Sequence, residues 1–252
     1  MATTQHYFWA GGHLLLLASA FRYFLAAFTF RSASDTWYKA SLLGALISYA
    51  IVCYKSLKPF QVSVAWLKRA LLEENVQYFV MAFFWWSSKP VTLALLPYAI
   101  FSLFHWLTFT RTTLLPQILP SGPPVNGSGA PQPHPVAKKL QSWVKDNYDG
   151  AMRIAAYVEL LILLRVVLGL LFLQNSFMAP IIYAHFLRQR YYNSAFTREA
   201  VANTTYHIEV YLGKPGTPPV LLKVWDGGKR LVSKWGGTIL VANQEGPAAG
   251  RR

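Results

Sequence analysis

Apolar residues along this chain fall into long blocks separated by short polar or basic stretches. The most informative block begins after Glu73-Glu74 and ends at Arg111, and between Asn75 and Arg111 the only formal charge is Lys89. A transmembrane helix needs about 20 apolar residues, so this block is too long for one upright span and short for two. Ser87-Ser88-Lys89-Pro90 interrupts it, and a proline disfavours the α conformation of the residue before it. The pattern predicts membrane helix over about 77–110, folded as a hairpin with arms near 77–87 and 91–110. One long helix kinked at Pro90 is the alternative. Neither arm carries the polar face expected of a helix pair in a soluble core.

The other blocks extend the pattern. Helices are expected near 8–30, with His13 and Arg22 inside, and near 37–54, with the polar turn 31–36 between them. Residues 55–76 are basic and then mixed. Val62, Trp66, Leu67, Ala70 and Leu71 share a broad sector opposite Gln61, Lys68 and Arg69, which suggests a helix lying in the membrane interface. Residues 119–137 are rich in Pro, Gly and Ser and read as a flexible linker. An amphipathic basic stretch, 138–150, leads into a second apolar block, 152–187, broken at Gln174-Asn175-Ser176, which reads as another hairpin or as one span plus an interfacial helix. That block holds Glu159 and Arg165, whose spacing places them about 240° apart on a helix. They are therefore not an in-helix ion pair, and Arg22 is the suggested partner of Glu159.

These elements describe an all-α integral membrane protein with several transmembrane or hairpin helices and interfacial amphipathic helices. The expected organisation is a membrane region over 1–118, the linker 119–137, a second membrane region over 138–192, and a basic cytosolic tail over 193–252. Within the tail, 218–236 has a clear helical period. Val220, Leu221, Val224, Trp225, Leu231, Val232 and Trp235 fall on one arc, Lys223, Lys229, Arg230 and Lys234 fall opposite, and only Leu222 is out of place. Pro218-Pro219 suits a helix start. Tryptophan on the apolar face and basic residues on the polar face suit a helix lying on a bilayer. Val224, Trp225, Leu231 and Trp235 are the candidates for insertion, and Lys223, Lys229, Arg230 and Lys234 for anionic lipid. Gly227-Gly228 weakens the helix by about 1 kcal/mol per glycine. A helix packed on the protein's own core, or a hairpin turning at Asp226-Gly227, are the alternatives.

Composition supports the membrane reading. The chain is 54% hydrophobic and 13% charged, against about 25% charged in ordinary globular proteins. The net charge of +14 sits beside apolar runs, which points to an anionic lipid surface rather than nucleic acid. A cleaved signal peptide is not expected, because MATTQHY carries no Lys or Arg and the apolar run after it is too long. Cys53 is the one cysteine, so no disulfide within the chain and no thiolate zinc site is expected. The histidines have no metal-ligand spacing. No nucleophile motif or phosphate loop is found, so neither a cofactor nor an enzymatic activity is expected. By the positive-inside rule, the basic loops share the cytosolic side, leaving about 31–36, 88–90 and 174–176 in the lumen. The sequons at Asn126 and Asn203 would then be unmodified.

Several segments carry a family resemblance. They are Leu71-Leu72-Glu73-Glu74-Asn75-Val76-Gln77-Tyr78, Pro90-Val91, Pro97, Phe101-Ser102-Leu103-Phe104-His105 and Thr108-Phe109-Thr110-Arg111, with Tyr38-Lys39-Ala40 upstream and the run Ile181 to Tyr191 downstream. In this order they resemble the transmembrane protein 33 family, whose fungal members include pore-membrane and perinuclear ER proteins and a tetra-spanning ER protein. The resemblance covers about residues 1–212. It implies a non-enzymatic protein of the endoplasmic reticulum membrane and nuclear envelope, acting on the ER tubule network and on nuclear pore complex assembly or distribution. It also implies reticulon-type membrane proteins, nucleoporins or a karyopherin as partners, and a membrane-binding C-terminal helix. The expected function is to organise or stabilise curved membrane. The alternative is a small channel, a transporter or a regulatory subunit of one, with Arg22, His105, Glu159 and Arg165 as its intramembrane polar lining.

Overall fold

The computed structural model describes residues 3–61, 63–119 and 134–243. Ten α-helices and no strand occur among them. The chain divides into two compact units, Met1–Thr197 and Arg198–Arg252.

The first unit opens with α1 (Thr4–Phe28) and α2 (Asp35–Ser56), capped by the Thr3 and Ser34 hydroxyls. They run antiparallel, with Tyr23 against Tyr38 at one end and Gly12 against Gly44 toward the other. The nine-residue α3 (Val64–Leu72) follows, capped by Ser63. Trp66 Nε1 and Arg69 Nη2 both donate to the Leu57 carbonyl, at 3.0 and 2.8 Å, which ties α3 to the end of α2. Val64, Leu67, Leu71 and Leu72 are left exposed. The expected interfacial segment is thus helical only over its second half, and Val62 lies outside the described residues.

The block from 73 to 111 forms a hairpin rather than one kinked helix. Its first arm is α4 (Glu74–Ser87). Ser88 turns extended, and a single 3₁₀ turn at Thr92–Ala94 leads into α5 (Leu95–Phe109). The Tyr38 hydroxyl accepts from the Val91 N–H at 3.3 Å, and Tyr49 stacks on Tyr78, so α4 runs antiparallel to α2. The Tyr23–Thr92 and His13–Ser102 hydrogen bonds set α5 antiparallel to α1. A π-helical turn, Thr110–Leu114, and the short α6 (Leu115–Ile118) end this part. Residues 120–133, most of the expected linker, lie outside the described residues.

The second membrane block differs from its expected bounds. The helix α7 runs unbroken from Pro135 to Leu171, so the basic stretch 138–150 and the apolar stretch after it are one rod. Pro135 suits a first helical turn, and neither Gly150 nor the charges around it interrupt the backbone hydrogen bonds. The break falls at 172–177, where Leu173 has φ 54, and α8 (Met178–Asn193) returns. Trp85–Tyr183 and Tyr78–Phe186 ring contacts place α8 antiparallel to α4. The turns 29–34, 88–91 and 172–177 consequently share one end of the bundle.

Among the described residues, four stretches are long and apolar enough to cross a membrane: Thr4–Phe28, Asp35–Ser56, Thr92–Ile118 and Pro135–Leu171. The 14-residue α4 and 16-residue α8 span only about 21 and 24 Å at 1.5 Å per residue, short of the ~30 Å hydrocarbon core. Outward-facing Phe21, Phe28, Leu161, Leu164 and Leu171 are exposed, as lipid-facing residues are. The second unit holds most of α9 (Ala195–Leu212) and all of α10 (Pro219–Asn243).

Helix association in lipid depends on close packing more than on a hydrophobic drive. A Cβ on Gly44 would lie 2.5 Å from the Gly12 carbonyl oxygen, and one on Gly12 2.8 Å from that of Gly44. Gly44→Val is expected to destabilise the detergent-solubilised protein by about 1–3 kcal/mol through overpacking. Gly11, with nothing within 4 Å of such a Cβ, should accept alanine without loss. Thermal unfolding of the two variants checks the difference.

Candidate functional site

A carboxylate lies inside the bundle. Glu159, at 1% exposure on α7, accepts from the Tyr78 hydroxyl at 2.6 Å and faces the Arg190 Nε at 3.4 Å. Arg190 also pairs with Glu74 at the start of α4, and its guanidinium lies over the Tyr78 ring. One cluster thus joins α4, α7 and α8. Glu74 and Glu73 part company here, because Glu73 caps α4 by accepting from the Val76 N–H at 2.9 Å. Arg190 and Glu74 also line an open recess of about 400 Å³ with Tyr49, Tyr78, Phe101 and His105.

Of the four residues expected as intramembrane polar groups, none meets another. Arg22 is exposed on α1 and is not the partner of Glu159, since Arg190 holds that place. Arg165 is half-buried over Gly169, where Asn175 also packs into the space a Cβ would take. His105 lies against His13 at 4.8 Å and Trp9 at 5.3 Å between ring centres. His13 Nδ1 bonds Ser102 Oγ at 2.9 Å, while its Nε2 is buried without a partner. Among the described residues, no group of three or more His, Cys, Asp or Glu is placed to hold a metal ion.

The residues missed from the sequence are Tyr78 and Arg190. Arg190 reads locally as one more basic residue flanking an apolar run. The available signal was Glu159 itself, because an acid deep in an apolar block requires a cation or donor from another helix.

The tail residues lie on α10, which is helical through Asp226, Gly227 and Gly228 rather than turned into a hairpin there. Val224 and Leu231 are 68% and 70% exposed. Val220, Val232 and Trp235 are exposed with them, as are Lys223, Arg230 and Lys234. Trp225 is half-buried, and Lys229 pairs with Glu209 of α9 at 2.7 Å and with Asp226 at 3.3 Å. The hydrogen bond from Lys229 holds the Glu209 carboxyl below its usual range.

This is the architecture of a multi-pass helical membrane protein. The family described as Transmembrane protein 33/Nucleoporin POM33 matches residues 1–238, and the chain belongs to that family. It is 34% identical over 246 residues to Tetra-spanning protein 1 of Schizosaccharomyces pombe, covering 96% of this chain and 88% of that protein. Nucleoporin POM33 of Chaetomium thermophilum is 34% identical over 243 residues, covering 91% and 85%. The Pore and endoplasmic reticulum protein of 33 kDa of Saccharomyces cerevisiae is 26% identical over 252 aligned positions, covering 90% and 88%. No solved structure matches. The chain is accordingly a multi-pass membrane protein of the endoplasmic reticulum and nuclear envelope. Its relatives carry the names of membrane and pore proteins, not of enzymes.

Removing one partner of a buried ion pair leaves an uncompensated charge and costs about 3–5 kcal/mol. Arg190→Gln is therefore expected to lower thermal stability in detergent strongly. Glu159→Gln, which keeps an acceptor for Tyr78, should cost less. A loss for Arg190→Gln no larger than for Lys229→Gln, at an exposed pair, would count against this network as the tie between α4, α7 and α8.

Proposed function

We propose that the protein organises or stabilises curved membrane of the endoplasmic reticulum and nuclear envelope, without catalysing a reaction. The observation that carries this reading is α10. Its Val220, Val224, Leu231 and Val232 are exposed on a helix whose Lys223, Arg230 and Lys234 are also exposed, a composition suited to lying in an anionic bilayer surface. Val224, Trp225, Leu231 and Trp235 insert, and Lys223, Lys229, Arg230 and Lys234 meet lipid phosphates. The exposed Val64, Leu67, Leu71 and Leu72 of α3 supply a second surface of the same kind. Short helices such as α4 and α8, beside four full-length spans, support a bundle that occupies the two leaflets unequally.

The proposed orientation puts the turns 29–34, 88–91 and 172–177 in the lumen. The opposite end carries Lys55, Lys58, Lys68, Arg69, Arg111, Lys138 and Lys139, and excess Lys and Arg mark the cytosolic side. Nuclear pore association follows the names of the relatives. Reticulon-type proteins, nucleoporins or a karyopherin are the partners this reading adopts from the family resemblance.

Two outcomes test it. A peptide spanning 213–243 should float with small, highly curved anionic vesicles, and Trp225→Ala with Trp235→Ala should abolish flotation. Flotation that survives the double change, or that never occurs, removes the tail from the reading. For the orientation, Asn203 should carry no glycan when the full chain is made in microsomes; a glycan there overturns it.

A further inference from the structure

The end of the span 92–118 and the basic half of α7 enclose a cleft of about 450 Å³ that the reading above does not use. Thr108 and Arg111 line it from the end of the span, and Gln141, Lys145, Tyr148 and Asp149 line it from α7. The π turn has a cause in the sequence. Pro116 has no N–H to donate to Thr112, and its ring crowds that carbonyl in a regular α-helix. The backbone widens instead, so that the Leu115 N–H reaches the Thr110 carbonyl. Such insertions recur at functional positions in helices. Here Arg111 lies within the inserted turn, and its Nη1 lies 3.4 Å from the Gln141 Oε1 across the cleft.

The α7 wall is ordered. Gln141, Lys145 and Asp149 follow one another at four-residue steps, which places them on one helix face, and Lys138 precedes Gln141 by three residues on the same face. The formal charge of the lining is positive, with Arg111 and Lys145 against Asp149. The depth is also set. Arg111 is the first charge after the apolar run of α5, and Phe104 packs on Trp143 and on Tyr148 of the lining. Trp and Tyr concentrate where headgroups meet hydrocarbon. Arginine and lysine converging at that depth, with amide and hydroxyl groups beside them, are the donor set for phosphate oxygens.

We propose that this cleft binds the phosphate of an anionic lipid headgroup. The site belongs to the first unit and is independent of the tail. Arg111 and Lys145 supply the charge, Gln141 and Thr108 the neutral polar contacts, and Asp149 opposes the anion and limits its affinity.

The test uses the full chain in detergent with Lys223, Lys229, Arg230 and Lys234 all changed to Gln, so that the tail does not compete and its own reading is not at stake. Calorimetry is run with dioctanoyl phosphatidylinositol 4-phosphate, with its soluble headgroup inositol 1,4-bisphosphate, with inorganic phosphate and with dioctanoyl phosphatidylcholine. Saturable binding of the phosphoinositide is expected. It should weaken by about fivefold for each of Arg111→Gln and Lys145→Gln, the effect of one basic residue near an anionic surface, and strengthen in Asp149→Asn. Tighter binding of the lipid than of its soluble headgroup assigns the site to the bilayer. Equal binding of the two keeps the phosphate chemistry and overturns the lipid assignment. No saturable binding, binding indifferent to Arg111→Gln and Lys145→Gln, or equal binding of phosphatidylcholine overturns the proposal.

Discussion

The first unit depends on one buried charge. A carboxylate inside a lipid-facing bundle is tolerated only when other helices supply donors, and Glu159 takes them from two. Tyr78 comes from α4 and Arg190 from α8, and Arg190 reaches on to Glu74 at the head of α4. The pairing fixes the register of α8 against α4 and α7 together. Neither α4 nor α8 is long enough to be an independent span, so this polar tie has a task that hydrophobic length performs for the longer helices.

The rest of the bundle follows the same constraint in milder form. Lipid offers no hydrogen bonds, so polar atoms between helices must find one another. Tyr98 donates to the Tyr78 carbonyl at 3.0 Å, Tyr38 accepts from Val91, and Tyr23 meets Thr92. Each of these pairs joins residues far apart in the chain and settles which helix lies beside which. Between α1 and α2 the Ser48 hydroxyl donates to the Trp9 carbonyl at 3.0 Å, and beside it backbone meets backbone where Gly12 and Gly44 carry no side chain. The core is accordingly rich in tyrosine, which packs as an aromatic ring and carries a hydroxyl that can bond across a helix interface.

Much of this was legible in the residues. Hydropathy marked the apolar blocks in which the described long helices lie, because length and apolar continuity are local properties. Pro90 announced the hairpin for the same reason, since a proline acts on its own neighbours. The pairing of Glu159 was not legible. Its position six residues from Arg165 excluded an in-helix partner, but choosing among the remaining cations requires knowing which helices touch. Arg22 and Arg190 look alike in sequence, and only the antiparallel return of α8 separates them. The unbroken length of α7 was hidden for another reason. A helix that passes from a basic face to an apolar one changes composition without changing conformation, so the compositional boundary near 150 was not a structural one. The tail was read from periodicity alone, and α10 is helical across the Gly227-Gly228 pair that weakened that reading.

The two units are held by different forces, and that difference bears on how the tail works. In the first, aromatic rings and a buried ion network enclose Tyr38, Trp85 and Tyr183 almost completely. In the second, the described ion pairs are exposed ones, Lys229 with Glu209 and with Asp226, which water and salt screen readily. Glycine at 227 and 228 costs helix stability, while Val224 and Leu231 remain largely uncovered. An apolar helix face left exposed in this way gains from a surface that covers it. Anionic lipid is such a surface. In the proposed bilayer-bound state, Lys229 would lie close to phosphates that compete with Glu209 for its ammonium, so the contact that steadies α10 within its unit is the one such binding would displace.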